Sequence, residues 1–255
     1  TKDEGELVKL NCFKNGKDEA ISISDELELN LKNKISFNNT AILVRAIFQT
    51  REFEERFLKI GIPYRIIGGT KFYERAEIKD CVAYLRIIYQ KKDDLSFERI
   101  LNVPKRSIGD TTLKLINETA KRNITNLEDA SKFLLENNKI KPKTKIGLSN
   151  LLNLLLKWRN DLNIKKINHI KLLQLILDES GYSQMLKNKK DLENENRLEN
   201  IKELLNAMKE FDNLESFLDH VSLATSLDQN WENQKVNLMT IHASKGLEFD
   251  VVFLP

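Results

Sequence analysis

Cysteine is almost missing from this sequence: two residues in 255, Cys12 and Cys81, lie far apart. That excludes a disulfide framework and fits a reducing compartment. Cys81 falls on the apolar stripe of an expected helix, and both cysteines are read as packing residues. Glycine (9) and proline (4) are also scarce, and no Gly-, Pro- or Ser-rich linker, internal repeat or low-complexity tract occurs beyond Lys- and Asn-rich surface segments. No run of about 18 apolar residues is present, which excludes a membrane-spanning helix. The opening "TKDEGELVKL" lacks the basic-then-apolar order of a signal peptide, so a cytoplasmic protein is expected. Only three histidines occur. His169, His220 and His242 have no Cys or carboxylate at ligand spacing, so no zinc site is expected. Excess charge of one sign is lacking too: Lys+Arg 41 against Asp+Glu 38 gives +3, too little to argue for nucleic acid, and any basic surface must be local.

What is present divides by pattern. The hydrophobic fraction of 41% is that of a folded soluble chain. "LVKLNCF" reads as a strand, "DEAISISDELELNLK" as an amphipathic helix and "TAILVRA" as a buried strand. A helix follows from about Phe48 to Ile60, stopped by Gly61 in the C′ position with Pro63 beyond. "YRIIGG" is then a strand leaving into a turn. This β-α-β order predicts a parallel sheet.

From Arg75 onward Ile78, Cys81, Val82 and Leu85 fall at helical spacing. Helical patterns then follow one another to about Leu227, with Thr125 and Glu128 forming a capping box before one of them. Val236–Met239 and Val251–Leu254 return as two short buried strands. The predicted class is α/β, a parallel sheet interrupted by a large all-helical insertion. The chain begins and ends in sheet-like sequence, from which a fragment is expected.

Three stretches stand out chemically: "AILVRAIFQTREFEERFLKIGIPYRIIGGTKFYERAEIKDCVAYLR", "FERILNVPKRSIGDTTL" and "VNLMTIHASKGLEFDVVFL". The last places His, Ser, Lys, Gly and Glu between two strands, and loops at the carboxyl ends of parallel strands are where α/β sheets hold ligands. In the second, Lys105 and Arg106 precede a turn at Ser107-Ile108-Gly109, with Asp110 read as the cap of a helix starting at Thr111. A turn and helix start of this kind present backbone N–H groups to phosphate, and the basic pair adds charge without reading sequence. A plain helix-helix turn is the alternative.

Together these strings resemble the superfamily-one DNA helicases of the UvrD, PcrA and Rep group, along essentially the whole chain and in the same order. The resemblance implies a motor of two RecA-like domains that binds ATP with Mg2+ and moves 3′ to 5′ along single-stranded DNA. Residues 1–87 and 235–255 would be parts of its second RecA-like domain, and 88–234 the helical domain inserted there. By similarity Glu248 accepts from the ATP ribose, Lys245 and Gly246 lie near the phosphates, and Thr240 and His242 contact single-stranded DNA. Lys105, Arg106, Ser107, Ile108 and Gly109 would touch duplex. The family pattern at the turn is Gly-Ile-Gly, so Ser107 departs from it and leaves the closest backbone approach there open.

Lys71 and Arg75, with Phe72 and Tyr73, either meet single-stranded DNA at the strand-to-helix junction or pack it, Arg75 then pairing with Glu77 or Asp80. Gln49 and Arg51 follow a strand end, Arg197 and Glu199 resemble a further family motif or simply make a helix face, and Trp158 is expected to pack. The phosphate-cradling G-x-x-x-x-G-K-[ST] loop is missing from these residues, so the chain alone is expected neither to hydrolyse ATP nor to unwind DNA. Expected partners are single-stranded DNA, single-strand/duplex junctions, the first RecA-like domain and repair proteins. Rival readings are a stand-alone DNA-junction module and a helical adaptor for other proteins.

Overall fold

The computed structural model of the chain describes residues 7–164, 166–188, 191–226 and 234–255. The chain divides into two compact units, Thr1–Lys71 with Asn230–Pro255, and Phe72–Gln229. The first boundary thus lies at 71/72, not 87/88. Residue 87 falls inside helix α3 (Ala76–Tyr89), whose Ile78, Cys81, Leu85 and Ile88 belong to the helical core. The return expected at 234/235 adjoins residues 227–233, which lie outside the described residues.

The first unit holds α1 (Gly16–Lys32), β1 (Thr40–Val44), α2 (Arg51–Ile60), β2 (Tyr64–Ile67), β3 (Val236–Thr240) and β4 (Val251–Phe253), with short 3-10 turns before β1 and α2. The strands form one parallel sheet in the order β2-β3-β1-β4. Ile42 and Ile66 both pair with Leu238, and Tyr64 pairs with Val236. Those residues share a cluster with Ile23 and Leu27 of α1 and Phe53 and Phe57 of α2. The period-2 pattern of each strand thus meets the period-3.6 stripe of each helix. The expected glycine stop is present: Gly61 ends α2 at φ 76° and donates to the Phe57 carbonyl.

On the other face Asn237, fully buried, stitches three chain segments. Its amide donates to the carbonyls of Asn38 and Thr40 at 2.9 Å each, and its oxygen accepts from Arg65 Nε at 2.7 Å.

Two sheet expectations fail. Leu7–Phe13 forms no strand: Leu7, Val8 and Leu10 are more than nine-tenths exposed, with no sheet neighbour among the described residues to pair with. Cys12, in the same stretch, is exposed and packs nothing, whereas Cys81 is buried as expected. Among the described residues strand β4 has β1 on one side alone, and it is only half-buried.

The second unit is helical: α3, α4 (Asp94–Leu101), α5 (Asp110–Asn123), α6 (Leu127–Glu136), α7 (Pro142–Asn163), α8 (His169–Glu179), α9 (Tyr182–Lys187), α10 (Leu192–Met208) and α11 (Leu214–Ser226). The short α9 is the one the sequence pattern missed. Trp158 packs as expected, buried edge-on to Tyr84 with its indole N–H donating to Glu179 at 2.8 Å. The expected Thr125/Glu128 capping box is displaced by one residue. Asn126 caps α6 by accepting from Asp129 N, and this frees Glu128 to face inward and hold Arg159 through hydrogen bonds of 2.8 and 2.6 Å. Asp110 is not the cap of α5 either: Gly109 occupies that position and Asp110 is the first helical residue. Among the described residues no helix is long and apolar enough to cross a membrane.

Candidate nucleotide and nucleic-acid sites

The carboxyl edge of the sheet gathers the exits of β1, β2 and β3. Ile241 N–H donates to the Val44 carbonyl at 3.0 Å, tying the turn after β3 to the end of β1. A Cβ on Gly68, at φ 76°, would meet the Ala243 methyl at 3.4 Å, so the exit of β2 runs against the same turn.

The turn, Ile241–Gly246, is closed by its own bonds. The Thr240 hydroxyl accepts from Ala243 N at 3.2 Å, Ser244 donates to the Ile241 carbonyl, and Leu247 N–H reaches the Ser244 carbonyl at 3.0 Å. Thr240 is therefore half-buried and shapes the turn. His242, Lys245, Gly246 and Glu248 stand exposed, and no ion pair involves them among the described residues. Gly246 adopts φ 85° with open space where a Cβ would lie. There the backbone itself is accessible, in a conformation that side chains disfavour. A cation, an open glycine and a carboxylate in succession form a donor and acceptor set that fits a nucleotide's phosphates and sugar. Divalent metal is a different matter: among the described residues no group of three His, Cys, Asp or Glu is placed to hold an ion.

The aromatic and basic residues expected at the strand-to-helix junction are used internally. Lys71 lies over the Tyr64 ring, its ammonium 4.8 Å from the centroid. Phe72 and Tyr73 are buried, Tyr73 edge-on to His220. Arg75 is buried over the Phe72 ring and donates to Asn200 Oδ1 at 2.7 Å, while Asn200 donates to Glu77 at 2.5 Å. Arg75 is thus packed inward, with Asn200 of α10 bonded to both Arg75 and Glu77. Asp80 is taken by Arg99 and Tyr182, each at 2.7 Å. Arg197 pairs with Glu193 and approaches Glu77, and Glu199 pairs with Lys202, as an ordinary helix face does.

In the helical unit the turn between α4 and α5 is built around two side chains. Asn102 Oδ1 accepts from the N–H groups of Arg106 and Ile108 at 2.7 and 3.3 Å. Arg106 points inward: Nη1 donates to the carbonyls of Ile100, Leu101 and Pro104 at 2.7, 3.3 and 3.2 Å, and Nη2 to the Tyr84 hydroxyl at 2.6 Å. Its guanidinium is committed to the loop, which corrects the expectation that Arg106 supplies charge to DNA. Ile108 is also buried and anchors the turn.

Lys105, Ser107 and Gly109 remain exposed. Ser107 sits at φ 60°, the left-handed region that glycine occupies most readily. The N–H groups of Gly109, Asp110 and Thr111 have no acceptor among the described residues. Sequence reasoning missed Asn102, and its only signal was an Asn shortly before a turn-forming stretch.

A family model described as UvrD-like helicase C-terminal domain matches residues 1–255. The chain is 44% identical over 259 residues to a probable DNA helicase II homolog of Rickettsia conorii, covering 100% of the chain and 39% of that relative. It is 44% identical over 257 residues to the DNA helicase II of Rickettsia typhi, covering 98% and 38%. With the ATP-dependent DNA helicase PcrA of Staphylococcus aureus the identity is 35% over 249 residues, covering 93% and 33%. The chain therefore spans well under half the length of these relatives.

Proposed function

Because this chain belongs to the UvrD-like helicase C-terminal domain family, we propose that it is part of an ATP-dependent DNA helicase. In this reading the larger protein translocates 3′ to 5′ on single-stranded DNA and unwinds duplex in repair or replication. The sheet unit serves as part of the second RecA-like domain and the helical unit as the domain inserted into it. The observation that carries the reading is the turn after β3, where Lys245, Gly246 and Glu248 stand exposed in succession at the carboxyl edge of the sheet.

ATP, when bound with Mg2+, supplies the free energy that biases one arrangement of the motor over another. This chain's residues do the holding. The Glu248 carboxylate accepts from a ribose hydroxyl, Lys245 places positive charge beside the phosphates, and Gly246 lets the backbone come close. His242 and the backbone around Thr240, on the same turn, contact the single strand, so one rigid turn couples nucleotide to DNA. Lys105 and the Ser107–Gly109 turn contact duplex phosphates without reading bases. Magnesium is assigned to no residue of this chain. The partners are single-stranded DNA, single-strand/duplex junctions, the first RecA-like domain and repair proteins.

The test compares ATP hydrolysis by the 255-residue chain alone and by the chain preceded by a first RecA-like domain. The chain alone is expected to be inactive, lacking the phosphate-cradling loop. The combined protein is expected to hydrolyse ATP in response to single-stranded DNA, with Glu248→Ala raising KM for ATP ~10-fold. Hydrolysis by the chain alone, or an unchanged KM in Glu248→Ala, contradicts the proposal.

A further inference from the structure

The sequence "NNKIKPKTKIG" carries a lysine at every second position from Lys139 to Lys145. By composition it is a solvated run, and nothing in its spacing connects it to the turn at Ser107 more than thirty residues earlier. The structure makes that connection. The buried Thr144 hydroxyl donates to the Ser107 carbonyl at 2.9 Å. Gly147 lies against Arg106 so closely that a Cβ there would run into the Arg106 carbonyl oxygen. The first turns of α7 are therefore pressed onto the Arg106–Ser107 segment.

The four lysines have different fates. Lys139 lies over the Phe133 ring, and Lys145 donates to Asn138 at 2.7 Å. Lys141 and Lys143 are exposed and have no partner among the described residues. Thr144 and Gly147 are spaced by three, which puts them on one face of α7, and Lys141 is the residue that immediately precedes the helix. Lys141 caps the start of α7 three residues before Thr144, which bonds the Ser107 carbonyl, and Lys143 is the immediate neighbour of Thr144. Pro142 at the first helical position fixes the backbone between the two lysines.

We infer that Lys141 and Lys143 form, with Lys105, one composite phosphate-binding ridge for the backbone of duplex DNA. The inference rests on the reading that the Ser107 turn contacts duplex, and it adds to that contact a segment that no motif marks. The arrangement explains why Arg106 is spent on the loop rather than on solvent. Arg106, with Asn102, holds the turn so that Lys105 and the α7 lysines keep a fixed relation. Asp110 is the one exposed carboxylate at the start of α5, against three unpaired cations. Duplex DNA carries a phosphate charge about every 1.7 Å along its axis, so lysines on adjoining segments each find one without base recognition.

Fluorescence anisotropy of a blunt labelled duplex, titrated with the 255-residue chain across a salt series, tests this. Lys141→Gln/Lys143→Gln is expected to weaken binding ~10-fold at low salt and to reduce the slope of log K against log salt by about 2. Its melting temperature should not fall, since neither side chain has an internal partner. Lys141→Arg/Lys143→Arg is expected to keep the wild-type affinity and slope. If the Gln variant binds as wild type does while Lys105→Gln is weakened, the ridge is wrong and the turn reading stands. If the wild-type chain binds no duplex even at low salt, both fall together.

Discussion

The Arg106 guanidinium donates to the Tyr84 hydroxyl at 2.6 Å, and that hydroxyl in turn donates to the Val103 carbonyl at 2.6 Å. An arginine in a basic, surface-looking stretch thereby closes a loop onto helix α3. Arg106→Ala is expected to lower the stability of the helical unit by about 2–3 kcal/mol, and Tyr84→Phe by about 1–2 kcal/mol. Arg106→Lys should recover little, because a single ammonium lacks the planar fork that reaches both the carbonyls and the hydroxyl. Urea unfolding followed by circular dichroism measures all three. Lys105→Ala, on an exposed side chain, should unfold with the wild type.

Ser107 at φ 60° holds a conformation that costs a residue with a Cβ. Ser107→Gly should therefore stabilise the unit by about 1 kcal/mol, and Ser107→Val should destabilise it by more than that. Thermal unfolding of the two variants in one buffer gives the sign directly.

The buried pair Glu128–Arg159 makes stability depend on acid. Burial pushes the Glu128 carboxyl up, but hydrogen bonds from Arg159 and Lys132, with their charges, outweigh it and hold the group below its ordinary value of 4.5. The unfolded chain then takes up this proton more readily than the folded one. The pair's contribution is accordingly present above about pH 4.5 and is lost as pH falls through the lower folded value. Glu128→Gln is expected to cost about 3–5 kcal/mol at neutral pH, because it leaves Arg159 buried without its counter-charge. It should also flatten the dependence between neutral pH and about pH 3. Urea midpoints across that range read out both.

Asn237 ties β3 to β1 and β2 from a fully buried position. Asn237→Ala strands two carbonyls and Arg65, so a loss of about 2–3 kcal/mol is expected in the sheet unit. Hydrogen exchange on β1 and β3 should accelerate in the variant while exchange in α7 and α8 is unchanged.

Much of this architecture was legible where local chemistry decides it. Ile42-Leu43-Val44 and Val236–Met239 read as strands because β-branched and apolar runs bounded by polar residues leave few alternatives, and Gly61 ends α2 as its position foretold. Leu7–Phe13 misled because apolar alternation supplies a strand's side chains but not the neighbour it needs. The cap of α6 moved from Thr125 to Asn126 because both side chains suit the role and the choice is set by Glu128, whose partner Arg159 is 31 residues away. At the candidate sites, the exposed Lys245-Gly246 and Glu248 were readable as a loop between strands. The inward aim of Arg106 and Arg75 was not, since a charged residue's direction depends on carbonyls and amides that the fold brings from elsewhere. The meeting of the Lys139–Lys145 run with Ser107 is tertiary, carried by one hydroxyl and one missing Cβ.

The most direct test of the account is anisotropy of three labelled DNAs, a single strand, a 3′-tailed duplex and a blunt duplex, titrated with the 255-residue chain over a salt series. Lys105→Ala is measured alongside. The account predicts that the tailed duplex binds tightest and that log K falls linearly with log salt. It also predicts that Lys105→Ala reduces the slope by about 1 without changing the melting temperature. Absence of binding to all three DNAs at low salt, or binding indifferent to salt and to Lys105, would contradict it.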